Sequence, residues 1–253
     1  MNVAYVLLPE AALPDPDVVA QAFAGLFPSR GPLVPTAEEP ATADGPPAFG
    51  LACADGMVHV ILQTGPVEGG EAERAERRSL AAIGSDEPLP DHHAHLVVAW
   101  FPAEGAAPDE VAIGQARATA AVALATDATG VYVPAASATH PAAWYVEVAR
   151  EVEEPMMLWI GVSHVLTDEQ RHEFLSFGMQ QFGLPELLLT APLSDGGDAI
   201  EYFYELVGAS SKAGVAIVPG EIVGREPGEL LTAREAPNPV DGERPLIAID
   251  LPG

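Results

Sequence analysis

The stretch SFGMQQFGLPELLLT, residues 176–190, decides how the second half of the chain is read. Gly178, Gly183 and Pro185 break up a run of large apolar side chains, Phe177, Met179, Phe182, Leu184 and Leu187, so one uninterrupted helix is excluded. Upstream, TDEQRHEFLSFGM (167–179) has Thr167 and Gln170 at the spacing of a capping box. That predicts a helix starting at Thr167 and stopping at Gly178, where a glycine tolerates left-handed backbone. Downstream, PELLLTAP (185–192) reads as a strand. The stretch then becomes a helix-to-strand hinge, with Phe174, Phe177, Met179, Phe182 and Leu184 filling the space between. Phe182, Leu184 and Leu187 are expected to be buried, and Gly183 to hold a conformation that other residues disfavour. The polar residues Gln180, Gln181 and Glu186 are candidate binding residues at a pocket rim, against the plainer reading of a sealed piece of core.

Elsewhere the pattern alternates strands and helices. NVAYVLLP (2–9) reads as a strand and DPDVVAQAFAGLF (15–27) as a helix capped by Asp15, with Val18, Val19, Ala22, Phe23 and Leu26 on one face. Residues 30–48 form a proline-rich loop, and FGLACADGMVHVILQ (49–63) reads as a hairpin about ADG. A solvated helix (69–84), a strand (93–101), an alanine-rich helix ended by a glycine (108–130) and a strand (130–137) follow. A soft boundary falls near Pro155, giving an N-terminal α+β subdomain (1–150) and a C-terminal one (151–253). In the second, 156–166 is strand-like, 198–214 a helix, 215–224 the last regular piece, and the Pro/Glu-rich tail from about 225 ends in an edge strand, PLIAIDLP (245–252). The expected fold class is α+β: antiparallel or mixed sheets covered by helices, in two pseudo-subdomains of ferredoxin-like βαββαβ character.

The 253 residues carry 37 acidic against 11 basic side chains, a net charge of −26, and Lys212 is the single lysine. Such a field repels phosphate backbones and anionic headgroups, so no nucleic acid and no membrane partner is expected, whereas a basic protein is attracted. The plainer reading is that the charge only keeps the protein soluble. The one cysteine, Cys53, excludes an intrachain disulfide and a thiolate cluster. MNVAYVLLPEAALPDPD lacks a basic n-region and reads as a first strand rather than a signal peptide, and no apolar run reaches membrane-span length. A cytoplasmic protein is expected.

Two segments resemble a known family. AVALATDATGVYVPAASATHPAAW (121–144) is similar to its helix, glycine, strand and Ser/Ala-His segment leading to Trp, and FGMQQFGLPELLL (177–189) to its Gly-Met, Phe-Gly-Leu-Pro, Asp/Glu motif. HHAHLVVAW (92–100) and VPGEIVG (218–224) sit where the family has a His-initiated strand and a final Gly-containing strand. The family is the bacterial domain of unknown function 4261, and the resemblance covers roughly residues 90–225. LATDATG replaces a Gly-Gly turn of the family. The family carries no established activity; the resemblance draws attention to His140 and Trp144 as candidate binding residues, beside the plainer roles of a capping histidine and a buried tryptophan.

Candidate chemistry is sparse. In DHHAH (91–95), His93 and His95 would share one face of a strand with Asp91 as a third metal ligand, against the alternative of a solvated strand start. Ser137 and His140 lie close in sequence, but no Gly-x-Ser-x-Gly elbow accompanies them. GPVEGGEAERAE (65–76) lacks the Lys and Ser/Thr of a phosphate loop. No catalytic residue and no cofactor is expected. The leading expectation is a non-catalytic protein-interaction module, immunity-like or adaptor, with a basic protein as partner. The alternative is a metal- or small-molecule-dependent enzyme using the His-rich strand start.

Overall fold

Asp15 accepts the Asp17 backbone N–H at 2.8 Å and Pro16 occupies the first helical position, so the chain leaves strand β1 (Asn2–Leu8) and enters helix α1 (Pro16–Leu26) as its sequence dictates. Val19, Phe23 and Leu26 are buried, whereas Val18 is 46 % exposed. The computed structural model describes residues 2–36, 45–83, 88–167, 170–225, 228–240, 242 and 244–252. It divides into two compact units, Met1–Trp159 and Ile160–Gly253. The dividing point lies beyond the expected residue 150 because α4 (Ala142–Glu151) and the short turn Met156–Leu158 pack together in the first unit.

In the first unit, α1 is followed by β2 (Val34–Pro35), β3 (Ala48–Cys53) and β4 (Gly56–Gln63), then a short helix α2 (Glu71–Ala75). β5 (Ala94–Pro102), α3 (Pro108–Leu124), β6 (Gly130–Val133), β7 (Ala138–Pro141) and α4 complete it. The sheet order is β2-β3-β4-β5-β1-β6-β7, antiparallel throughout. Its central strands β4-β5-β1-β6 have the order of a split βαβ sheet, with α1 and α3 as the connecting helices. Ala112, Ala116 and Ala120 are buried in α3, and such small side chains let a helix lie close to a sheet. Buried Gln115 pins the helix to β5 by donating to the Val98 carbonyl at 3.0 Å. The α3 helix ends at Leu124, before Gly130, and the Thr126 hydroxyl donates to the Val122 and Ala123 carbonyls at its end. The solvated helix expected over 69–84 is broken into α2 and single 3-10 turns; Ala72 and Ala75 are buried against Leu7 and Tyr132.

The second unit contains β8 (Gly161–Leu166), β9 (Arg171–Phe177), β10 (Leu187–Pro192), α5 (Gly196–Ala213), β11 (Ile222–Val223), β12 (Leu231–Thr232), β13 (Arg234–Ala236) and β14 (Leu246–Asp250). Its main sheet runs β13-β14-β10-β9-β8, with β10 and β14 parallel and the other pairs antiparallel. The helix expected from Thr167 is instead strand β9. Thr167 and Gln170 belong to the β8–β9 turn: Thr167 gives its N–H to Arg171 O at 2.9 Å and takes that of Gln170 at 2.9 Å, with Gln170 at φ 56. Thr-x-x-Gln spacing suits a capping box and a tight turn alike, and pairing with β8 and β10 selects the strand. The tail strand is interior rather than at the edge, because Leu246, Ile247, Ala248 and Ile249 are all buried between β13 and β10. Each unit is thus α+β, and among the described residues no helix is long and apolar enough to cross a membrane.

Candidate functional site

Gly178 at φ 116 and Gly183 at φ 73 bracket a single 3-10 turn, Met179–Phe182, between β9 and β10. Both need left-handed backbone, which side-chain-bearing residues rarely adopt. The turn closes through Gln181 N to Gly178 O (3.2 Å) and Gly183 N to Gln180 O (3.0 Å). Its N-terminal N–H groups would be orphans inside the unit, and Glu186 reaches back to meet them. Its carboxylate accepts from Gly178 N at 3.0 Å, Met179 N at 3.4 Å and the Ser176 hydroxyl at 2.5 Å. Glu186 is 8 % exposed and Ser176 fully buried. Burial pushes the Glu186 carboxyl up, and the Ser176, Gly178, Met179 and Gln180 hydrogen bonds pull it partly back.

A cavity of about 300 Å3 adjoins this turn, bordered by Gln180, Leu184, Glu186, Asn238 and Arg244. Gln180 is exposed and its side-chain oxygen accepts from Arg244. Gln181, also a candidate, folds into its own turn through Nε2 to Gly178 O at 2.9 Å. Leu184 and Leu187 are buried, while Phe182 is only half-buried, so the aromatic seal expected of that ring belongs to Met179 and the leucines.

His140 and Trp144 do come together in the first unit, stacked with centroids 5.3 Å apart and 25° between planes. The partner of His140 is Ser79, not Ser137: the Ser79 hydroxyl lies 2.8 Å from Nδ1. That hydroxyl also accepts the Ala81 N–H at 3.2 Å. Ser137 sits in left-handed backbone (φ 48) and accepts from Arg78. With His140 fully buried, its pKa is driven down to about 4 by desolvation, partly offset by Leu158. A neutral, solvent-free Ser–His contact braces the packing of β7 and does not present a nucleophile.

The structure does not gather Asp91, His93 and His95. The β5 strand begins only at Ala94, so His93 lies in the bend before it, and both His93 and Asp91 are exposed. His95 turns its Nδ1 to the Gly65 carbonyl at 2.9 Å and lies tilted against Tyr5, ring centroids 5.2 Å apart. Buried His92 accepts the Val67 N–H at 2.9 Å and faces Glu73 at 3.4 Å. Among the described residues no three His, Cys, Asp or Glu side chains could hold a metal ion. Ser79 and Ser176 carry the buried polar contacts that the sequence reading missed; a lone serine beside an apolar run is their only local signal. Compared with family models, curated proteins and solved structures, the chain finds no match.

Proposed function

We propose that this chain is a non-catalytic, acidic protein-interaction module of the bacterial cytoplasm, related to the domain of unknown function 4261 and immunity-like or adaptor in role, whose partner is a basic protein. The observation behind this reading is how the charges are disposed. Four arginines are paired with carboxylates of the chain: Arg30 with Asp55 (3.8 Å), Arg150 with Glu151 (2.7 Å), Arg225 with Glu229 (2.6 Å), Arg234 with Asp250 (3.0 Å). Acidic residues face outward, as on α5, where Asp198, Glu201 and Glu205 stand exposed at helical spacing. Such a field accelerates encounter with a cationic partner and is screened by salt.

Affinity capture from a bacterial lysate at low and high salt tests it, followed by titration of the purified captured protein against the wild type and the variant Asp198→Asn/Glu201→Gln/Glu205→Gln. Association with a basic protein that slows in salt and in the variant supports the reading. Capture of nothing above background, or binding indifferent to both changes, removes it.

A further inference from the structure

A cavity of about 430 Å3 opens within the unit Met1–Trp159, between the β3–β4 turn, the loop after β5, α1 and α3. Its volume falls in the range of about 300–1,000 Å3 that small-molecule sites occupy. One wall is apolar, made by the Trp100 indole, Phe23 and Ile113. Gly114 lets the indole lie there, because a Cβ at that position would stand 2.5 Å from the ring. Arg117 lies three residues further along α3, on the same face as Gly114.

The Arg117 guanidinium rests over the Phe27 ring, 5.7 Å from its centroid. Among the described residues, no carboxylate, carbonyl or hydroxyl meets it in a hydrogen bond or ion pair. Burial and the neighbouring Arg30 both disfavour its charge, with Asp55 and Glu153 opposing from beyond contact. The acidic groups around the cavity are occupied or turned to solvent. Asp55 pairs with Arg30 at 3.8 Å, Glu110 accepts the Ala107 N–H at 2.9 Å, and Glu104 stands exposed in the loop. The half-buried Arg117 fork of five N–H donors, with no protein acceptor among the described residues, is open to an incoming anion.

We propose that this cavity binds a small organic anion, its carboxylate held by the Arg117 fork and its flat apolar body laid against Trp100 and Phe23. An inorganic anion would leave the apolar wall unfilled, and a neutral ligand would leave the guanidinium unmet. The cavity lies in the first unit and shares no residue with the exposed carboxylates of α5 in the second.

Naphthalene-2-carboxylate is the probe, titrated into the full chain beside naphthalene-2-carboxamide and inorganic phosphate. Cys53 borders the cavity and is the chain's single cysteine, so its alkylation by iodoacetamide reports occupancy without any activity assay. The acid is expected to bind saturably at least about tenfold more tightly than the amide, about 1.4 kcal/mol, and to slow alkylation of Cys53. Arg117→Gln erases the preference for acid over amide, whereas Arg77→Gln, at an exposed position that does not line the cavity, preserves it. Should Arg117→Gln fail to fold, Arg117→Lys keeps the charge and loses the planar fork, and it must weaken the acid more than the amide. Equal binding of acid and amide, phosphate binding as well as the acid, no saturable binding of the acid, or binding that leaves Cys53 reactivity unchanged overturns the proposal.

Discussion

The Ser176 hydroxyl donates to Glu186 Oε2 at 2.5 Å while its oxygen accepts the Leu187 N–H at 2.8 Å, tying the end of β9 to the start of β10. Neither residue is free to seek another partner, because both are buried. Removing one side of this contact leaves buried donors unmet. Ser176→Ala and Glu186→Ala are each expected to destabilise the protein by about 1–3 kcal/mol. Because they share one network, the double variant should lose less than the sum. Urea unfolding of the four proteins of the cycle measures this, and strict additivity would show that the contact carries no coupling.

His140 supplies a pH dependence. Its folded pKa is depressed from 6.5 to about 4, so between those values the unfolded chain binds the extra proton. Stability from this group is therefore full above the unfolded pKa and falls as pH drops through the window, by about 2 kcal/mol near pH 5. His92 and His164 are depressed as well, so the wild type must be compared with His140→Gln. The wild type should lose about that much more than the variant between roughly pH 7 and pH 5. Parallel losses in the two proteins would mean that His140 is not held neutral.

Gly114→Ala should be destabilising although alanine is the better helix former. The new Cβ would stand 2.5–2.7 Å from three indole atoms of Trp100, which is 2 % exposed. Gly56 closes the other approach, since a Cβ there would meet the same ring at 2.8 Å. Overpacking of this kind costs about 1–3 kcal/mol, more than the ~1 kcal/mol gained in helix propensity. A higher melting temperature for Gly114→Ala would show that the indole moves aside freely.

Around the opening stretch, Leu187→Ala should cost about 2–5 kcal/mol, since Leu187 is 2 % exposed. Phe182 is half-buried, and its truncation should cost well under the ~3–5 kcal/mol of a fully buried phenylalanine. Thermal or urea unfolding ranks the two, and a larger loss at Phe182 would contradict its placement.

Local sequence determined much of this protein. Asp15 with Pro16 started α1, Gly214 at φ 60 ended α5, and the proline-bounded apolar run of 2–9 and the apolar runs around ADG in 49–63 marked strands, because caps, left-handed glycines and turn residues act over a few residues. Gly183 was legible for the same reason. Only tertiary structure decided that 171–177 is a strand. Thr167 and Gln170 satisfy a helix cap and a hairpin turn equally, and the ladders to β8 and β10 settle the choice. The same holds for Ser79 with His140 and for Arg117 with Phe27, partners 61 and 90 residues apart that no local spacing announces. Side-chain chemistry is written in the chain, but which groups meet, and which line a cavity without a protein acceptor, depends on long-range pairing of strands that bring distant residues to one place.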